Sequence, residues 1–158
     1  MLQKVCSIVL LGALLSACAT KSPEQTLDEF YRYNEPGSES LDPLILAGGK
    51  VVPLVIERIQ ARGTPRRQLA IDFLGNGGYR EGLPILERIF GDETEPENIR
   101  VTAIVAIYRI DRARGKELAS SCPFSEDELS KVCGDIGSDA EWLQYRRTYL
   151  DALLHRHD

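Results

Sequence analysis

Histidine is nearly missing from this chain, and its placement excludes much chemistry. The 158 residues hold two histidines, His155 and His157, both within the last four positions. A Ser-His-Asp or Cys-His site needs an imidazole that the fold can orient, and a chain end offers no frame for one. No Gly-x-Ser-x-Gly elbow and no His-Glu-x-x-His zinc pair occurs. A positive balance is also lacking: 24 Asp and Glu outnumber 19 Lys and Arg, the net charge is -5 and the pI about 5.1. A chain that recognises phosphate backbones needs a basic surface, so nucleic acid is not expected as the main partner. Strand patterns are lacking too, since no stretch alternates apolar and polar residues between hairpin turns. Gly75-Asn76-Gly77-Gly78 has no following Lys-Ser/Thr and no strand before it, so it is expected to end a helix rather than hold phosphate. No catalytic residue, cofactor or metal site is expected, and the chain is not expected to be an enzyme.

Two charged spots remain. Asp92-Glu93-Thr94-Glu95 with Glu97 lacks the alternating ligands and glycine of a calcium loop and is expected to be a solvated loop. Arg62, Arg66 and Arg67, beside Pro65, are expected to solvate a helix start, ahead of contact with an anionic headgroup or acidic partner.

The N-terminus has the layout of an export signal. Lys4 precedes an apolar run from Val5 to Ala17. That run is shorter than the roughly 20 residues a spanning helix needs, and small residues follow it. Leu15-Ser16-Ala17-Cys18 resembles the lipobox of bacterial lipoproteins. The resemblance implies acylation of the Cys18 thiol and cleavage before it. Residues 1–17 are then a removed signal peptide, 18–22 a lipidated tether and 23–158 a single folded domain. The alternative is an ordinary secretory signal cut near Ala17 or Ala19. Ala19, where an Asp would imply inner-membrane retention, points to the outer membrane, facing the periplasm.

Of the other cysteines, Cys6 leaves with the signal. Cys122 and Cys133 remain, and an even pair in an exported chain reads as a disulfide ahead of two free thiols. A redox or metal role trails both.

Helix signals recur along the mature chain. Ser22-Pro23-Glu24-Gln25 is a helix start, with Leu27, Phe30 and Tyr31 at helical spacing behind it. Residues 34–40 read as a loop, and Leu41 to Ala47 as a short helix stopped at Gly48-Gly49. Pro53-Leu54-Val55-Ile56-Glu57-Arg58-Ile59 then recurs as Pro84-Ile85-Leu86-Glu87-Arg88-Ile89, and Arg67-Gln68-Leu69-Ala70-Ile71 as Arg100-Val101-Thr102-Ala103-Ile104. A period of about 30–33 residues holding two short helices is the mark of an α-solenoid. Residues 99–110 are apolar on nearly every side, as befits a helix covered by several neighbours.

Over residues 50–112 the pattern resembles HEAT-like repeats, carried by the Arg-x-x-Ala-Ile starts at Arg67 and Arg100, Leu74-Gly75 closing a helix, Pro84 opening the next and Asp92 in the loop before Arg100. Tyr108-Arg109 departs from the usual Leu-Gly ending. The resemblance implies an all-α fold: a short right-handed α-solenoid with a disulfide-pinned helical cap over residues 116–158. The cap is expected to hold a helix opened by Ser125-Glu126-Asp127-Glu128 that ends near Cys133-Gly134. A last helix is expected from Ser138 to about His155, with Trp142, Tyr145, Tyr149, Ala152 and Leu153 on one stripe.

The expected function is a membrane-anchored, non-catalytic envelope scaffold that grips a protein partner, with Glu57, Arg58, Glu87 and Arg88 on the binding face. The alternative is an inhibitor or immunity-type lipoprotein that blocks a toxin or wall enzyme.

Overall fold

Helix α1 (Pro23–Arg32) starts where its sequence tells it to. The Ser22 hydroxyl accepts from the Gln25 amide at 3.2 Å, and the Gln25 side-chain oxygen accepts from the Ser22 amide at 3.0 Å. These reciprocal bonds satisfy two amides that have no partner inside the helix. The computed structural model describes residues 21–32, 41–122 and 127–148. Cys18, the 34–40 loop, Ser125, Glu126, His155 and His157 lie outside them.

The helices that follow are α2 (Asp42–Ala47), α3 (Val52–Arg58), α4 (Arg67–Gly77), α5 (Leu83–Gly91), α6 (Glu97–Ile110), α7 (Arg112–Ala119) and α8 (Glu128–Gly137). Short 3-10 turns occupy Gly48–Val51, Arg80–Gly82 and Glu141–Gln144. The fold is all-α, with no strand among the described residues.

Helix α6 is the centre of the molecule. It packs against α4, α5, α7 and α8, which explains why its sequence is apolar all round. Ala103, Ile104, Ala106 and Ile107 are fully buried. Burying each such isoleucine stabilises the fold by roughly 1.5–3 kcal/mol. Two glycines set how closely its neighbours approach. A Cβ on Gly75 would lie 2.5 Å from Ala106 Cα, and one on Gly115 would lie 2.5 Å from Tyr108 Cα. Contrary to expectation, Gly75 does not close α4: the helix runs on to Gly77, and Gly78 ends it in the left-handed region. The apolar interior continues through Leu27, Phe30, Leu44, Val55, Phe73, Leu86, Ile136 and Leu143.

The C-terminal region departs from expectation. Cys122 and Cys133 form the disulfide, which joins the end of α7 to α8 across a sequence separation of 11. Closing so short a loop stabilises the fold by roughly 2–3 kcal/mol on the chain-entropy account. Asp127 caps α8 by accepting from the Ser130 amide at 2.7 Å, and the helix continues past Cys133-Gly134 to Gly137. The last helix does not start at Ser138. Asp139 takes a positive φ of 57°, and Glu141–Gln144 is a single 3-10 turn. Tyr145 is extended and residues 145–148 are not helical. The Ser138 hydroxyl instead donates to the Gly134 and Asp135 carbonyls at the end of α8, and the Asp139 carboxylate is taken up by three side chains on α6 and α7. The rest of the expected stripe, from Tyr149 onward, lies outside the described residues.

Candidate functional site

The arginines of the repeated motif do one job twice. Arg67, at the start of α4, donates through Nε to the Ile59 carbonyl at 2.7 Å. Arg100, in the first turn of α6, donates through Nε to the Phe90 carbonyl at 2.9 Å. Each thus meets a carbonyl at the end of the preceding helix, where intrahelical donors have run out. Arg67 also grips Glu95 with two bonds, at 2.7 and 2.9 Å, and both side chains are buried. The bidentate geometry offsets the desolvation of the two charges. The hydrogen bonds from Arg67 hold the Glu95 carboxyl below the usual carboxylate range.

These contacts correct two expectations about charge. Of Arg62, Arg66 and Arg67, only Arg62 is solvent-exposed; Arg66 is half-buried and Arg67 is buried. Arg62 pairs with Asp92 at 2.5 Å, and Arg66 donates to the Phe30 carbonyl while its guanidinium lies 4.3 Å from the Phe30 ring centre. The acidic loop is likewise not merely solvated, because Glu95 turns inward to Arg67.

The repeated Glu-Arg pairs lie in a row of polar ties between odd-numbered helices. Arg58 on α3 reaches Asp28 on α1 at 3.6 Å. Arg88 on α5 reaches Gln60, just past α3, at 3.4 Å. Glu87 on α5 takes two bonds from Arg114 on α7, at 2.8 and 2.6 Å. Glu57, Arg58 and Arg88 are exposed, whereas Glu87 is half-buried and occupied by Arg114. Glu57 and Arg58 also line a groove floored by Leu27 and Leu54.

A second surface comes from the segment after α8. Asn76, buried near the end of α4, donates to the Arg147 carbonyl at 2.5 Å and accepts from the Arg147 amide at 2.7 Å. The Arg147 side chain pairs with Asp42 on α2. Arg109 on α6 donates to the Leu143 carbonyl at 3.1 Å and pairs with Asp72 on α4 at 2.6 Å. Asp139 accepts from Tyr108, Arg112 and Lys116. The bonds from Arg112 and Lys116 hold its carboxyl well below the usual carboxylate range. Burial, then the bond to Asp139, raises the Tyr108 hydroxyl above its ordinary value.

Between this segment and α6 lies an open cleft of about 380 Å³, lined by Tyr108, Arg109, Ile110, Arg112, Leu143, Gln144 and Arg146. Little in the sequence marks this cleft: the one trace is Tyr108-Arg109, which stands where a repeat helix would end in Leu-Gly. Among the described residues, no group of three His, Cys, Asp or Glu side chains could hold a metal ion, and no helix is long and apolar enough to cross a membrane. Comparison of the chain with protein-family models, curated proteins and solved structures gives no match.

Proposed function

We propose that this chain is a cell-envelope lipoprotein, cleaved before Cys18 and held to a membrane, on the outer-membrane side of the periplasm, by lipid on that residue. Its helices form a short right-handed HEAT-like solenoid that acts as a non-catalytic scaffold for a protein partner. The observation that carries the scaffold reading is the repeated arginine latch, Arg67 to Ile59 and Arg100 to Phe90. Two successive hairpins joined by the same bond at the same place are what a repeat array requires, and such arrays leave long outer faces for partners. The stacking of α4 on α6 and of α6 on α8 supports the same reading. The anchor rests on the placement of Leu15-Ser16-Ala17-Cys18 behind a short apolar run. Four residues, Ala19 to Ser22, separate the lipid from α1, and four residues span at most about 14 Å. The domain therefore favours partners close to the bilayer.

Two measurements test this. Cys18→Ala abolishes fatty-acid labelling and leaves uncleaved precursor; undiminished labelling rejects the anchor. Arg58→Glu with Arg88→Glu lowers recovery of the crosslinked partner while circular dichroism stays unchanged, since exposed charge changes alter stability by less than about 0.5 kcal/mol. Unchanged recovery moves the binding surface away from Glu57, Arg58, Glu87 and Arg88.

A further inference from the structure

Arg109, Arg112 and Arg146 converge on one cleft, and the carboxylates that pair with them number two: Asp72 with Arg109 and Asp139 with Arg112. The Arg146 guanidinium donates to the Arg109 backbone carbonyl and has no carboxylate partner among the described residues. This concentrates positive charge on a chain whose net charge is -5. The same short segment carries Trp142, 46% exposed, and Tyr145, 71% exposed, the two exposed large hydrophobics of the described residues. Tyr145 sits between Gln144 and Arg146, both of which line the cleft. Neither aromatic is needed to fill the core, because Leu143 is the member of this segment that is fully buried. Trp, Tyr and Arg are the residues that most often dominate binding energy at protein interfaces. A guanidinium fork also matches a carboxylate in geometry as well as in charge.

We propose that this cleft docks an acidic segment of a protein partner, with a carboxylate on Arg146 and apolar contact on Trp142 and Tyr145. The proposal rests on the scaffold reading and names the chemistry of the partner. Asn76 supports the site from behind: its two bonds to the Arg147 backbone hold the residue next to Arg146 in place.

Trp142 is the only tryptophan in the chain and its indole donates to Asp135 on α8 at 2.9 Å, so its emission reports on the segment that borders the cleft. The full lipidated protein is placed in phosphatidylcholine vesicles and titrated with a short peptide of alternating Glu and Ala. The expected result is a saturable, salt-sensitive change in Trp142 emission that the matching Gln-Ala peptide does not produce. Arg146→Glu weakens binding at least tenfold, and Tyr145→Ala weakens it severalfold. Tyr145→Ala serves as the second variant because an exposed side chain can be truncated without unfolding the protein. Lys50→Glu, the same charge change at an exposed site outside the cleft lining, leaves binding unchanged. Equal response to both peptides, or none to either, overturns the proposal. So does a blue shift produced by adding phosphatidylglycerol to the vesicles in the absence of peptide, which makes the surface lipid-facing. A photocrosslinker at Glu57 separates the two readings. A specific partner trapped there without any peptide response removes the cleft and leaves the scaffold, whereas no specific adduct at either surface removes the scaffold itself.

Discussion

Helix α6 meets α4 in a close apolar seam, where Gly75 lets the backbone of Ala106 approach, and Ala103, Ala106 and Ile107 of α6 are fully buried. Residues 139–148 meet the same two helices through Asn76, Arg109 and Asp139, with Leu143 their one fully buried apolar side chain. The centre is therefore held by area removed from water, which is large and non-directional. Residues 139–148 are held chiefly by directional bonds, each of which can be lost singly, while the Cys122–Cys133 bridge fastens α8, from which they extend. This difference separates a rigid platform from a removable edge, and the candidate cleft lies on the boundary between them.

The contrast fails most visibly if the centre also depends on single polar bonds, and Arg67 is the place to look. Arg67→Met leaves the buried Glu95 carboxylate with only the longer contact to Arg62 Nε at 3.4 Å, and is expected to cost about 3 kcal/mol in denaturant unfolding. Adding Glu95→Leu should restore most of that loss, because a buried pair replaced by apolar side chains is often near neutral. A double variant no better than the single one makes the ion pair, rather than apolar burial, the support of the centre.

The covalent bridge comes next. Cys122→Ser with Cys133→Ser is expected to lower stability by roughly 2–3 kcal/mol. Near-ultraviolet signals from Trp142 should change before the far-ultraviolet helix signal does. Simultaneous loss of both signals joins the two regions into one cooperative unit.

Acid provides a smaller effect, shared by both regions. Hydrogen bonds from Arg67, Arg114 and Arg112 hold the carboxyls of Glu95, Glu87 and Asp139 below their ordinary values. For depressed groups of this kind, stability is fully present above the unfolded carboxyl pKa of about 4. It is lost as pH falls through the folded values. The melting temperature should thus stay level from neutral pH to about pH 5 and then fall. Rising stability on acidification contradicts these assignments.

What was legible in the sequence divides along the same boundary. The apolar period of α3 to α6, the Pro53 and Pro84 starts, the Ser22-Gln25 capping box and the Cys122–Cys133 pair all follow from composition and spacing, because burial and chain closure leave periodic or countable traces. The inward turn of Glu95 and the clamp of Asn76 on Arg147 do not. Asn76 and Arg147 are 71 positions apart, and a polar bond over that distance leaves no period. Residues 138–148 differ from the expected helix for a related reason. Ser138-Asp139-Ala140-Glu141 has the form of a helix start, but Ser138 ends α8 with its hydroxyl on the Gly134 and Asp135 carbonyls, and Tyr108, Arg112 and Lys116 hold Asp139 at a positive φ. Tertiary bonds overrode a local preference worth about 1 kcal/mol.

Amide hydrogen exchange on Asn76→Ala tests the central distinction most directly. The substitution removes both bonds to the Arg147 backbone and leaves the apolar seam between α4 and α6 in place. The account predicts that amides of residues 142–148 exchange at least tenfold faster, while those of Ile104 to Ile107 on α6 keep wild-type rates, because local opening and global unfolding are separate events. Equal acceleration of the α6 amides would contradict it, since the clamp would then be part of the core rather than the fastening of a separable edge.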